Sequence, residues 1–272
     1  MSLRLLAAVL GAMLSIAAQT SSAFAGKLVA LSIGVSAYTS GNPLPSPAND
    51  ALAVANALAG FGYDVRLLRN PTSAQMRDAL AEFVEAARNA DVAIVYFSGH
   101  GQQVNGESYF VPTDGGDPFA DHVAVSSIVA KLQAVGVKTK IVFVDACRNN
   151  PLLGRDGAGR GESARNANAA ERNVLGPGVM ISFASAAGES STDSLLAYST
   201  YTQALLSVMR RDQRLELAEI TRAARRLMLQ RADANVGARH TPFEVSSLDA
   251  PVYFERATGG RVQDTGRHGP RR

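Results

Sequence analysis

VAIVYFSGHG at residues 92–101 and IVFVDACRNNP at residues 141–151 share one layout: a short, almost unbroken apolar run that stops abruptly in polar residues. An apolar run without alternation suits a strand buried on both faces of a parallel sheet. The two stops are Ser98-Gly99-His100-Gly101 and Asp145-Ala146-Cys147-Arg148. Functional groups of open parallel sheets gather beyond the carboxyl ends of the strands. His100 and Cys147 are therefore expected on one rim.

Outward from these runs, strand-like and helix-like patterns alternate. Residues 28–34 form another apolar run, and residues 50–61 place Leu52, Ala55, Leu58 and Ala59 at helical spacing. Residues 64–68 are strand-like. Thr72 reads as the cap of a helix reaching about Asn89, with Met76, Leu80, Phe83, Val84 and Ala87 inward. Strand character returns over residues 179–184, and residues 201–209 and 215–229 read as amphipathic helices. Such alternation predicts an α/β fold with helices on both faces of a mostly parallel sheet. Between them, residues 149–178 are rich in Gly, Ala, Asn and Arg, without sustained periodicity. Their arginines 155, 160, 165 and 172 make this loop a candidate for self-cleavage if the chain cuts after basic residues.

The 272 residues allow one large domain or at most two, and 46% apolar with 19% charged residues describe a folded globular chain. A single cysteine, Cys147, excludes an internal disulfide and any multi-thiolate metal site. A net charge of +3 is too small to imply nucleic acid. Residues 1–25 carry Arg4, a mostly apolar run from Leu5 to Ala18 and the stretch Ala23-Phe24-Ala25, the layout of a secretory signal cleaved before Gly26. The run is shorter than a membrane span, so export to the periplasm or medium without a stable membrane anchor is expected. Residues 26–256 then form the domain, and residues 257–272, with Arg261, Arg267, Arg271 and Arg272, read as a basic disordered tail.

A cysteine attacks as the thiolate, so a catalytic cysteine needs a base or cation nearby. His100 is the candidate, separated from Cys147 by one complete crossover unit. The residues here resemble a family: YFSGHG at 96–101 followed by DACRNNP at 145–151 is similar to the caspase-like cysteine peptidases, and more to bacterial metacaspase-type members than to animal caspases. A histidine about 50 residues before the cysteine belongs to the caspase pattern. LVALSIGVSAY at 28–38, PANDA at 47–51, YFVPTDG at 109–115, YTQALL at 201–206 and TPFEVSSL at 241–248 extend the resemblance over most of the chain.

The resemblance implies a caspase-like three-layer α/β/α sandwich and a Cys–His dyad. Cys147 attacks a peptide carbonyl and His100 manages the protons. Backbone N–H groups of Gly101 and Cys147 form the oxyanion hole, with no cofactor. A backbone carbonyl near the start of the domain orients the histidine. Metacaspases bind Arg or Lys through acids, and Asp50, Asp145 and Ser98 match that pocket, while Pro47 departs from members with cysteine there. The alternatives are an acid capping the turn for Asp145 and an ordinary helix-start residue for Asp50.

Asp114, Asp117 and Asp121 could bind calcium, as in some metacaspases, but their spacing is not that of an EF-hand and a solvated acidic loop is favoured. His122, His240 and His268 have no partners at metal spacing, so no metal site is expected. Gly34-Val35-Ser36-Ala37 lacks the second glycine of a nucleophile elbow, and there is no GxGxxG or P-loop. The expected partner is a protein or peptide substrate. The competing reading, a catalytically silent module that binds a partner in the same cleft, has no need of both Cys147 and His100.

Overall fold

The computed structural model describes residues 26–39, 42–104, 106–115, 120–146, 176–185, 197–211, 213–233 and 242–265. Its centre is a seven-stranded sheet in the order β10-β8-β7-β3-β1-β2-β12. The strands are β1 (Leu28–Gly34), β2 (Asp64–Arg69), β3 (Val92–Gly99), β7 (Thr139–Ala146), β8 (Val179–Phe183), β10 (Phe243–Ser246) and β12 (Arg261–Asp264). All pair in parallel except β10, which runs antiparallel to β8. The expected mostly parallel α/β sandwich is the fold observed.

Side chains that alternate along each strand feed two cores. Leu31, Ile33, Val95, Phe97, Val142 and Val144 face one layer, against Met76, Leu80 and Phe83 of α2 (Ser73–Ala86) and Ile128 and Leu132 of α3 (Val125–Ala134). Ala30, Ile94, Tyr96, Ile141 and Phe143 face the other. There they meet Ala51, Val54 and Leu58 of α1 (Pro47–Ala59), Leu205 of α4 (Thr200–Met209) and Ile220 of α5 (Leu217–Asp233). Helix α2 begins as the sequence predicts: Thr72 and Gln75 form a reciprocal capping box.

Two small sheets lie outside this frame. β4 (Gly101–Val104), β5 (Glu107–Phe110) and β6 (Val123–Ala124) make one, and β9 (Arg214–Glu216) with β11 (Tyr253–Glu255) the other. β3 therefore continues through Gly99 and, one residue later, β4 begins, where the sequence reads as a tight polar turn. β9 likewise takes residues expected to open α5.

The carboxy-terminal boundary needs correction. Residues 257–265 are not a tail: Arg261–Asp264 add a seventh strand in register with Asp64–Leu67 of β2. Arg261 makes two hydrogen bonds to Asp64, at 2.8 and 2.7 Å, from 197 positions away in the chain, and Arg69 pairs with Asp264 at 2.5 Å. A short, charged strand with Val262 as its one apolar residue has the composition expected of a sheet edge, which composition alone cannot tell from a solvated tail. Residues 266–272, the expected leader at 1–25 and most of the 149–178 stretch lie outside the described residues.

One glycine determines how closely α1 approaches β1. A Cβ on Gly34 would stand 2.2 Å from the carbonyl oxygen of Pro47 and 2.9 Å from the Cα of Ala48, both backbone atoms that cannot swing away. Gly34→Ala is expected to push the first turn of α1, which carries Asp50, off the sheet and to cost about 1–3 kcal/mol. Urea denaturation checks this, and an unchanged midpoint would disprove so tight an approach.

Candidate active site

β3 and β7 end side by side, with Ser98 in register with Asp145 and Gly99 with Ala146. His100 follows β3 directly. Its Nε2 lies 2.9 Å from the carbonyl oxygen of Asn42. A carbonyl only accepts, so in the neutral ring Nε2 carries the proton and Nδ1 is left with its lone pair. Asn42 thus supplies the kind of orienting carbonyl that the resemblance implies and the sequence could not locate, because the contact spans 58 positions within an irregular loop. The ring of Tyr38 packs on the imidazole with centroids 4.4 Å apart, and its hydroxyl accepts the backbone N–H of His100 at 2.6 Å. Gly101 opens β4, and Val111 N–H donates to the carbonyl of His100. Cys147 is bonded to Ala146, the last residue of β7, and lies outside the described residues.

Beneath this rim the structure brings Asp50, Ser98 and Asp145 together. Ser98 and Asp145 share the strand parity of Tyr96 and Phe143 and so point into the layer of α1 and α4, toward Asp50 on the first turn of α1. Asp50 is fully buried and Asp145 is 6% exposed. Ser98 Oγ donates to Asp50 Oδ2 at 3.1 Å, and the Ser199 N–H donates to Asp50 Oδ1 at 2.9 Å. Asp145 Oδ2 accepts from Thr202 Oγ1 at 2.9 Å, from Tyr96 Oη at 3.3 Å and from Ser199 Oγ. One residue, Ser199, therefore bridges the two acids with its N–H and its hydroxyl. Ser199 also caps α4, accepting Thr202 N–H at 2.9 Å, so a helix amino terminus faces the acids.

Burial, and next the charge of Asp145, push the Asp50 carboxyl up to about 8, against the opposing pull of hydrogen bonds from Ser199, Ser46 and Ser98. The same burial and the same two acids hold the Tyr96 phenol well above its usual range. Two close carboxyls in a dry setting cannot both ionise cheaply, so near neutrality the empty pair is expected to hold a proton. A cationic side chain reaching the pair would replace that proton and pair with both acids. Asp50 sits in the first turn of a helix, and its bonds also run across the fold to Ser98 of β3 and to Ser199 at the start of α4.

The cluster also contains Tyr96, Ser199 and Thr202, which the sequence reading did not assign to the site. Tyr96 stood within the quoted YFSGHG motif. The run Ser199-Thr200-Tyr201-Thr202 before apolar residues carries the composition of a helix cap. Nothing local links either to Asp145, which is 49 positions from Tyr96 and 54 from Ser199.

Two of the acidic residues considered for calcium contact Ser73. Asp114 Oδ1 accepts the N–H of Ser73 at 2.6 Å, at the start of α2, and Asp121 offers its backbone carbonyl to Ser73 Oγ at 2.9 Å. Asp117, His240 and His268 lie outside the described residues. Among the described residues no three His, Cys, Asp or Glu side chains converge as a metal site, and no helix is long and apolar enough to cross a membrane.

The chain is 29% identical over 122 residues to the human mucosa-associated lymphoid tissue lymphoma translocation protein 1, covering 44% of this chain and 15% of that protein. The mouse homologue is 28% identical over 132 residues, 48% of this chain and 16% of its own length. The chain thus spans a small part of the curated relatives it matches. The family model of the caspase domain matches residues 27–253, from the residue before β1 into β11. With that model spanning six of the seven strands of the sheet, both helical layers and the positions of His100, Asp50 and Asp145, the chain belongs to the caspase-domain peptidase family.

Proposed function

We propose that this chain is a cysteine endopeptidase of metacaspase type that hydrolyses peptide bonds after Arg or Lys through a dyad of Cys147 and His100. The observation that carries the reading is the orientation of His100: with Nε2–H committed to Asn42, Nδ1 is the free base on the rim where β7 leads into Cys147. His100 takes the thiol proton, and the sulfur attacks the substrate carbonyl carbon. The oxyanion is held by the backbone N–H groups of Gly101 and Cys147. The imidazolium then protonates the departing amine as the C–N bond breaks, leaving a thioester. Water, deprotonated by His100, attacks the thioester and releases the acid and the free thiol. Asp50 and Asp145, with Ser98 at the wall, receive the basic side chain. No cofactor enters these steps.

The deciding experiment offers the purified chain reporter peptides ending in Arg, Lys, Asp and Leu, beside Cys147→Ala. Cleavage of the Arg and Lys reporters by the wild type alone is expected. A preference for Asp, or equal use of Arg and Leu, would show the pocket to be wrong. Turnover by Cys147→Ala would remove the dyad.

The leader supports an exported enzyme. The cellular protein is expected to begin at Gly26 outside the cytoplasm, and an intact amino terminus in the cytosolic fraction would refute this. In an oxidising compartment the single thiol is exposed to sulfenic acid or mixed-disulfide formation, so activity is expected to need a reductant.

A further inference from the structure

We propose that Tyr38 is a positioning residue for His100, held in place by a loop that Asn70 pins to the sheet; this rests on the peptidase reading above. Tyr38 touches the histidine twice. Its hydroxyl accepts the His100 backbone N–H at 2.6 Å, and its ring lies 4.4 Å from the imidazole at 46°. The space for that hydroxyl exists because residue 99 is glycine. Gly99 has φ +153°, and a Cβ there would stand 2.6 Å from the Tyr38 oxygen and 3.2 Å from the Val35 carbonyl. The glycine of the SGHG turn thus makes room for the tyrosine that holds the next residue.

The same loop supplies the Asn42 carbonyl, so His100 is gripped at its backbone, its ring face and Nε2 by one segment. That segment is tied down at several points. Asn70, in the left-handed region at φ 50°, accepts the N–H groups of Ser36 at 2.7 Å and Ala37 at 3.1 Å through Oδ1, and its own N–H donates to Gly34. Val35 N–H donates to the Ser98 carbonyl, and Thr39 N–H to the Thr113 carbonyl at 2.8 Å. Asn70 touches neither the imidazole nor any group of the acid cluster in these bonds, so its effect on chemistry passes through the loop.

An imidazole that loses its backbone and ring contacts is held less firmly over the rim where β7 leads into Cys147. Loss of the tyrosine is therefore expected to weaken the pairing of His100 with the thiol through geometry, without touching the substrate pocket.

The test compares wild type with Tyr38→Phe, Tyr38→Leu, Asn70→Ala and Asn70→Asp, after thermal melting has shown each to be folded. Tyr38→Phe keeps the ring and removes the acceptor, and kcat on the Arg reporter is expected to fall about tenfold with KM nearly unchanged. Tyr38→Leu removes both contacts and should fall further. Asn70→Ala should share the defect, and Asn70→Asp, which keeps the acceptor oxygen, should restore most of it. A second readout needs no peptide: the rate of Cys147 alkylation by iodoacetamide against pH. Its acidic inflection is expected to move upward in Tyr38→Leu, as it does more fully in His100→Ala. If the wild type cleaves no reporter but shows this His100-dependent inflection, the peptidase reading falls and the Tyr38 proposal is judged on alkylation alone. A wild-type alkylation profile in Tyr38→Leu overturns the proposal, as does an inflection unaffected by His100→Ala. If Tyr38→Leu fails to fold, Tyr38→Phe and Asn70→Ala decide by the same measures.

Discussion

Replacing His100 by alanine is expected to lower kcat/KM on an Arg reporter by about 10²- to 10⁴-fold, the range for loss of a positioned general base. At pH 7 an isolated thiol is only a few per cent thiolate, and the leaving amine has no proton donor without the imidazole. The fold should barely notice. His100 is partly exposed, and removal of its ring leaves the Asn42 carbonyl in an irregular surface loop where water can replace the lost donor. Activity and stability are thus expected to separate: a large fall in turnover with a denaturation midpoint near wild type. KM should change little, because Asp50 and Asp145, on α1 and β7, keep their partners without the imidazole. A variant that retains activity within tenfold of wild type would remove His100 from the chemistry.

Asp50→Asn is expected to impair use of basic substrates while making the protein more stable at pH 8. The two effects have one cause. The buried pair must hold a proton or a cation, and a guanidinium entering a desolvated pocket needs the full charge of both acids. Loss of one partner of such a buried charge pair costs about 2–5 kcal/mol in recognition. The stability sign follows from the raised Asp50 carboxyl, up to about 8 from 3.8. The folded state holds a proton there that the unfolded chain releases, so its contribution is complete below about pH 4 and is lost as pH rises through about 8. Wild-type stability should fall across that window by about 1.4 kcal/mol per pH unit at most. Asp50→Asn should flatten that fall, since its amide oxygen can still accept the Ser199 N–H and its amide nitrogen can turn to Ser98. Binding of an Arg-containing inhibitor to Cys147→Ala should tighten over the same pH range, because the pocket then gives up its proton less expensively. Urea midpoints at pH 5, 7 and 9 check the stability claim; a wild-type midpoint that rises with pH, or an asparagine variant weaker at pH 9, would sink it.

What the sequence determined by itself is local and periodic. Unbroken apolar runs at residues 92–97 and 141–144 place two strands buried on both faces, because only a doubly covered sheet tolerates such runs. Thr72 ahead of apolar residues at helical spacing places a helix start, since its hydroxyl can accept an unpaired N–H of the first turn; its reciprocal partner Gln75 came with the structure. The polar stops after those strands bring His100 and Asp145 to one rim through sheet topology. Asp50, Ser98 and Asp145 were legible through the resemblance carried by the motifs. Tertiary structure decided whatever depends on segments far apart in the chain. Asn42, 58 positions from His100, lies in a loop without periodicity, and a backbone carbonyl leaves no trace in side-chain identity. Ser199 comes to bridge Asp50 and Asp145 only when α4 packs beside α1 over the sheet. Arg261–Asp264 become a strand only because β2 presents a free edge, with Asp64 and Arg69 set to pair across it. Composition records which groups a chain can bury or expose, but their partners are settled when distant segments meet in one packed layer.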